Sequence, residues 1–187
     1  MEKEFWKPGN MLYPIPAVMV SCMDKEQQNI ITVAWAGTIC SNPAMVSVSI
    51  RKERFSYDMI KNSGEFVINL VTKDLVKKAD YCGVKSGRDV DKFKAMQLTP
   101  IKGNIVGAPL IGESPVSLEC IVKDILPLGS HDMFLGEVVS VAVDKKYIDD
   151  TGRFHLNKSG LIVYSHGEYY GLGQLLGKFG YSVRKKK

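Results

Sequence analysis

The sequence predicts a mainly β chain: a mostly antiparallel barrel carrying short helical insertions. Two observations lead there. Stretches rich in β-branched residues alternate with period two, as in Val46-Ser-Val-Ser-Ile-Arg51, where Val46, Val48 and Ile50 face one side and Ser47, Ser49 and Arg51 the other. Strand candidates also follow one another directly while helical ones fall mid-chain, unlike the strand–helix alternation of a parallel sheet.

Residues 1–16, broken by Pro8, Gly9, Pro14 and Pro16, read as a lead-in. Ala17–Met23 is a strand with Val18 and Val20 inward, and Asp24–Gln28 is a polar hairpin connection. The stretch Asn29–Arg51 organises the rest: two strand-forming flanks, Trp35 at the end of the first, and a small, polar, proline-containing middle, Gly37–Pro43, expected to be a loop. Phe55–Gly64 reads as a helix with Ser56 as N-cap, Asp58 near the positive end and Gly64 at the C-terminal cap; Phe55, Met59 and Ile60 face the core. Glu65–Leu70 is a strand. Lys73–Tyr81 is a second helix, capped by Thr72 or Asp74, with Leu75, Val76 and Ala79 on one face.

Cys82–Arg88 is expected as a loop and Asp91–Met96 as a helical turn. Residues 99–115, punctuated by Pro100, Gly103, Gly107, Pro109, Gly112 and Pro115, form an irregular connection. Val116–Leu126 and Met133–Lys146 are the longest strands, joined by a turn at Pro127–Asp132, and Leu161–Ser165 and Glu168–Leu172 follow. Leu172, Leu175, Leu176 and Phe179 recur at helical spacing and are expected to form a terminal apolar patch.

A chain of 187 residues, 45% apolar and 24% charged, is expected to be one domain over 1–187. The barrel and its inserted helices fall in 16–172, with a C-terminal extension over 173–187. The net charge is +5, but Arg184–Lys187 supply four of those charges, so the rest of the chain is near +1. The pI of 8.9 therefore marks a solvated basic tail rather than a nucleic-acid-binding face. Cys22, Cys40, Cys82 and Cys120 make no CxxC or metal spacing and read as reduced thiols, which fits a cytoplasmic location. No apolar run approaches the roughly 20 residues of a membrane helix, and the N-terminus lacks the apolar core of a signal peptide, so no membrane partner is expected.

The familiar nucleotide motifs fail. Gly171-Leu-Gly173 has Leu176 where the third glycine belongs, and Gly177-Lys178 lacks the upstream glycine and following hydroxyl of a phosphate loop. Four polar clusters remain. Asn29, Thr32, Trp35, Thr38 and Ser41 surround the central stretch, where strand-edge polarity is the plainer explanation. Arg51-Lys-Glu-Arg54 runs into Ser56 at a helix start, an arrangement that suits an anion or simply a solvated turn. Ser86-Gly-Arg-Asp-Val-Asp-Lys92 offers backbone amides and a cation, or an ordinary charged loop. Gly129-Ser-His131-Asp132 places a histidine in a turn. Each cluster alone is weak; together, without a metal motif, they point to one anionic aromatic ligand.

Five stretches in order resemble the flavoredoxin and flavin reductase-like family, whose domain is an FMN-binding split β-barrel of antiparallel, Greek-key type. They are Pro16-Ala-Val-Met-Val-Ser, Asn29–Trp35 with Ser41-Asn-Pro43, Val46–Arg51 with Gly64–Asn69, Tyr81–Gly87 with Asp91-Lys-Phe93, and Gly129-Ser-His-Asp-Met-Phe-Leu-Gly-Glu-Val138. The last two are the most specific. Where relatives often carry two prolines before the second central strand, this chain has Asn42-Pro43-Ala44.

The resemblance implies a homodimer with FMN bound noncovalently near the subunit interface. On the matching positions, Asn29, Ala34, Trp35 and Thr38 would line the ring and ribityl chain, and Ser49, Ile50 and Arg51 would add backbone and side-chain contacts. Ser56, Ser86 and Lys92 would lie near the phosphate, His131 would approach the ring from its turn, and Tyr164 would come from the last strands. The implied activity is an oxidoreductase moving electrons between NAD(P)H, a candidate co-substrate, or a redox-protein partner and flavin or a downstream acceptor. The flavin would carry the chemistry, with no catalytic side chain required. A non-catalytic flavin- or haem-binding split-barrel module is the alternative.

Overall fold

The structure, a computed structural model, describes residues 1–183. The predicted basic run Arg184–Lys187 lies outside the described residues. Seven strands form one antiparallel sheet: β2 (Val18–Asp24), β3 (Gln27–Val33), β4 (Ala36–Ser41), β5 (Ala44–Ile50), β6 (Glu65–Leu70), β9 (Val116–Pro127) and β10 (Asp132–Val143), in the order β3-β2-β6-β9-β10-β5-β4. The two edge strands, β3 and β4, are consecutive in the chain and joined by only Ala34 and Trp35. A two-residue link between opposite edges forces the sheet to curl, and the Ser49 amide meets the Trp35 carbonyl at 2.9 Å where the edges approach. The result is the mainly β split barrel with helical insertions that the sequence predicts.

Period two places the core as expected. Val46, Val48 and Ile50 are buried inside with Val18, Val20, Ile68, Phe66 and Phe134. The helix α1 (Phe55–Ser63) closes this core with Met59 and Ile60, and ends at Gly64, whose φ of 70° is the left-handed cap conformation that glycine adopts without strain. A second cluster, built on Met19, Ile30, Ala79, Cys82 and Phe93, packs α2 (Val76–Val84) and α3 (Lys92–Ala95) on the outer face of β2 and β3.

Five expectations give way. The loop predicted over Gly37–Pro43 is mostly strand β4, because pairing with β5 outweighs the low strand preference of Gly37; only Asn42 and Pro43 turn. Ser56 is not the helix cap: Arg54 occupies that place with no side-chain bond, and Ser56 is buried as the second residue of the helix. Residues Lys73–Leu75 form a 3-10 turn rather than the start of the second helix, and Thr72, its N-cap, makes no side-chain cap bond. The helix itself runs on to Val84, so Cys82 is a buried helical residue rather than part of a loop. The terminal Leu172, Leu175, Leu176 and Phe179, at helical spacing in the sequence, form no helix and stand exposed.

The irregular segment 99–115 contains one short ladder, β7 (Pro100–Ile101) with β8 (Leu110–Ile111). Polar side chains of the sheet, buried Glu119 and Asn69 and half-buried Glu65, hold it. Glu119 accepts the amides of Asn104, Ile105 and Val106 at 2.7 to 3.0 Å, Glu65 accepts that of Gly107 at 2.7 Å, and Asn69 accepts that of Ile111 at 2.9 Å. Burial would raise the Glu119 carboxyl, but these three amides outweigh it and hold the group below its ordinary value. Near the chain start, β1 (Ile15–Pro16) pairs with β11 (Ile162–Ser165), which pairs with β12 (Glu168–Gly171). This small sheet brings Tyr13 to within 6.2 Å of Tyr164 and 6.3 Å of Trp35, ring centre to ring centre.

Candidate functional site

Three cavities run along one side of the barrel and share walls. The first, about 350 Å³, lies between β3, the N-terminal end of α1 and residues 82–92. Asn29, on β3, donates from Nδ2 to Ser56 Oγ at 2.8 Å, tying the strand to the helix inside this cavity. Gly87 lies against the same carboxamide, and a Cβ there would overlap it. Arg88 locks the 86–88 loop in place: it donates to the Glu53 carbonyl at 3.0 Å and stacks over Phe55 at 5.2 Å.

Lys92 is the electrostatic feature of the cavity. The side chain is 4% exposed and donates to the carbonyls of Ile30 and Cys82, each at 2.7 Å. Burial brings its ammonium down to about 8. An ammonium has three donors, so one remains for a ligand. Arg54, Lys85 and Arg88 add positive charge, and the first turn of α1 presents the positive end of its dipole.

The second cavity, about 140 Å³, shares Ile31 and Arg54 with the first and is bounded by Ala34, Trp35, Ser49, Ile50, Arg51 and His131. Strand pairing builds it: the turn after β9 carries His131 to the end of β5, where Asp132 stands opposite Ile50. Burial and the guanidinium groups of Arg51 and Arg54 push the His131 imidazole below its ordinary value, against the opposing Glu53. Behind it, Tyr57 donates to Asp132 Oδ2 at 2.6 Å, and Lys52 Nζ lies 3.5 Å from Asp132 Oδ1. The third cavity, about 640 Å³, shares Ala34, Trp35 and Ser49 with the second and extends beneath residues 9–12.

Of the sequence-predicted site residues, Asn29, Ser56, Ser86 and Lys92 come together in the first cavity, and Ala34, Trp35, Ser49, Ile50, Arg51 and His131 in the second. Thr38 lies apart, on the exposed edge strand β4 beside a separate apolar groove. Tyr164 borders neither of the two cavities and packs instead against Tyr13 and Tyr169. Arg54 also lines the first cavity, from the Arg51–Arg54 cluster that the sequence marks as suited to an anion, and Gly87 and Arg88 line it from the Ser86–Lys92 cluster, though none of the three is among the residues the resemblance implies. Residues 9–12 are unmarked in the sequence because nothing local in a proline-broken lead-in signals a cavity wall.

Comparisons with known proteins bear on the fold and the family. Flavoredoxin of Desulfovibrio vulgaris (Miyazaki F) superposes with a TM-score of 0.90 at 33% identity, over 98% of this chain and 100% of that one. Flavoredoxin from Methanosarcina acetivorans gives 0.88 at 27% identity, over 98% and 100%. An uncharacterized protein of Aeropyrum pernix is 33% identical over 70% of this chain and 50% of its own length, so the chain spans half of that relative. Residues 11–173 match the flavin reductase like domain, and the chain belongs to that family.

Proposed function

We propose that this protein binds FMN along the first two cavities and works as an oxidoreductase, moving electrons between a reduced nicotinamide or a redox-protein donor and flavin or a downstream acceptor. The continuity of an anion-holding cavity with one walled by an aromatic ring carries this reading. The donor set fits a phosphate at one end: Ser56 and Ser86 hydroxyls, the remaining Lys92 donor, Arg54 and a helix N-terminus. The missing Cβ at Gly87 leaves room for the Asn29 carboxamide to face the same space. At the other end Trp35 offers apolar area, and Ser49–Arg51 offer backbone and a guanidinium to the polar edge of a ring.

When bound, the flavin supplies the electron transfer itself. The chain's residues hold and orient it. Lys92 and Arg54 offset phosphate charge, Arg51 and His131 set the charge beside the ring, and Trp35 keeps water from one side. The proposed homodimer would cover a separate groove of about 430 Å³, lined by Val18, Val46, Leu118, Val141 and Val143 and open to solvent in one copy. A visible spectrum of the purified protein titrated with FMN, then treated anaerobically with NADH or NADPH, tests the reading. Uptake followed by bleaching is expected; a protein that takes up no FMN sinks it. Bleaching by a reduced ferredoxin-type protein alone would assign the electron-carrier form.

A further inference from the structure

Among the described residues two carboxylates are buried, Glu119 and Asp132, and they are satisfied very differently. Glu119 accepts three backbone amides. Asp132, 4% exposed at the start of β10, accepts one hydrogen bond, from the Tyr57 hydroxyl to Oδ2 at 2.6 Å. Its other oxygen, Oδ1, is buried with no hydrogen bond from any described residue. What faces Oδ1 is the Lys52 ammonium at 3.5 Å, beyond the length of a charge-assisted hydrogen bond. A buried carboxylate so poorly satisfied destabilises a fold, and an apolar side chain would serve the sheet better.

The position of the pair gives the carboxylate a role. Lys52 belongs to the turn between β5 and α1, whose Arg51 and Arg54 line the second cavity, as does His131, the residue before Asp132. Lys52 is not in that wall; its side chain turns over Asp132 instead. Tyr57 holds the carboxylate from the other side, its own ring packed edge-on against Phe134 at 5.3 Å. The nearby pair of Arg51 with Glu53 is more than half exposed at both ends and screened by water, whereas the Asp132 end of its pair is 6% exposed.

We propose that Asp132 is a positioning residue of the flavin site: it draws the Lys52 ammonium away from the second cavity and so holds the bound flavin at a lower reduction potential. Reduction adds negative charge to the ring, and a loose ammonium beside it would favour the reduced form. Paired with Asp132, the same ammonium presents little net charge. The inference rests on the flavin reading and adds one property to it, how strong a reductant the flavin becomes.

The test is the midpoint potential of the FMN-loaded protein, read spectroscopically against a reference dye during anaerobic reduction. Asp132→Asn keeps the shape and removes the charge. It is expected to raise the potential by at least the equivalent of a tenfold change in the ratio of reduced to oxidised flavin, about 30 mV for a two-electron couple. Adding Lys52→Met removes the released ammonium and is expected to return the potential to near the wild-type value. Tyr57→Phe, which keeps both charges, is expected to move it far less. Lys52→Glu, at a side chain 59% exposed, changes the same charge without touching the interior and is expected to lower the potential; it decides alone if Asp132→Asn does not fold. Four results overturn the inference: an unchanged or lowered potential in Asp132→Asn, a rise that persists when Lys52 is also replaced, an equal rise in Tyr57→Phe, or no fall in Lys52→Glu. A wild-type protein that takes up no FMN is instead a failure of the flavin reading, seen in the visible spectrum before any potential is measured.

Discussion

Asn29 and Ser56, 27 residues apart, meet at 2.8 Å with both side chains almost fully buried, and their contact forms the inner wall of the first cavity. Gly87 is what makes room for it. Gly87→Ala is therefore expected to displace the Asn29 carboxamide and weaken FMN binding by about tenfold, the scale of one lost hydrogen bond. Fluorescence titration with FMN reads this directly; unchanged affinity would show that the carboxamide does not contribute.

Lys92→Met is expected to weaken FMN by about 10- to 100-fold while leaving riboflavin, which lacks the phosphate, nearly unchanged. The pH dependence follows from the position of the ammonium. With burial bringing it to about 8, the cationic form that attracts phosphate is present below that pH and lost above it. FMN affinity should fall between pH 7 and 9 in the wild-type protein and stay flat in the variant. Equal losses for FMN and riboflavin would place Lys92 away from the phosphate.

Glu119 anchors the 99–115 segment through three amides. Its folded-state value is depressed, so its stabilisation is present above the unfolded carboxylate value and lost as the pH falls. Glu119→Gln should cost about 1–3 kcal/mol near neutrality. Urea denaturation should show the gap between variant and wild type closing on acidification.

Tyr57 donates to a buried carboxylate, Asp132, which with burial pushes the phenol up to about 12. The raised value means that this stabilisation is complete below the ordinary phenol value and lost as the pH rises from there through the raised folded value of about 12. Tyr57→Phe leaves Asp132 Oδ2 without its donor and should cost about 1–3 kcal/mol at pH 7. Because Asp132 follows His131, the substitution should also change FMN affinity, measurable in the same titration.

Val141 is 54% exposed at the rim of the apolar groove proposed as the dimer face. Sedimentation is expected to show a dimer for the wild type and a monomer for Val141→Lys, since a buried ammonium without a partner is strongly disfavoured. A wild-type monomer would remove this face from consideration.

The residues themselves determined much of this. Alternation in Val46–Arg51 set which face of β5 enters the core, because neighbouring side chains of a strand must point to opposite sides. Gly64 fixed where α1 ends, and the Ser86-Gly87 and His131 stretches supply wall residues of the first and second cavities. Tertiary pairing decided the rest. The segment Gly37–Pro43 carries loop-like residues yet is largely strand, because β5 supplies its hydrogen bonds. Ser56, a good local cap, is used instead as the acceptor for Asn29, a partner that sequence distance hides. The single linked cavity wall arises only because a two-residue connection joins opposite sheet edges and curls the barrel, and no local pattern records which edges will meet.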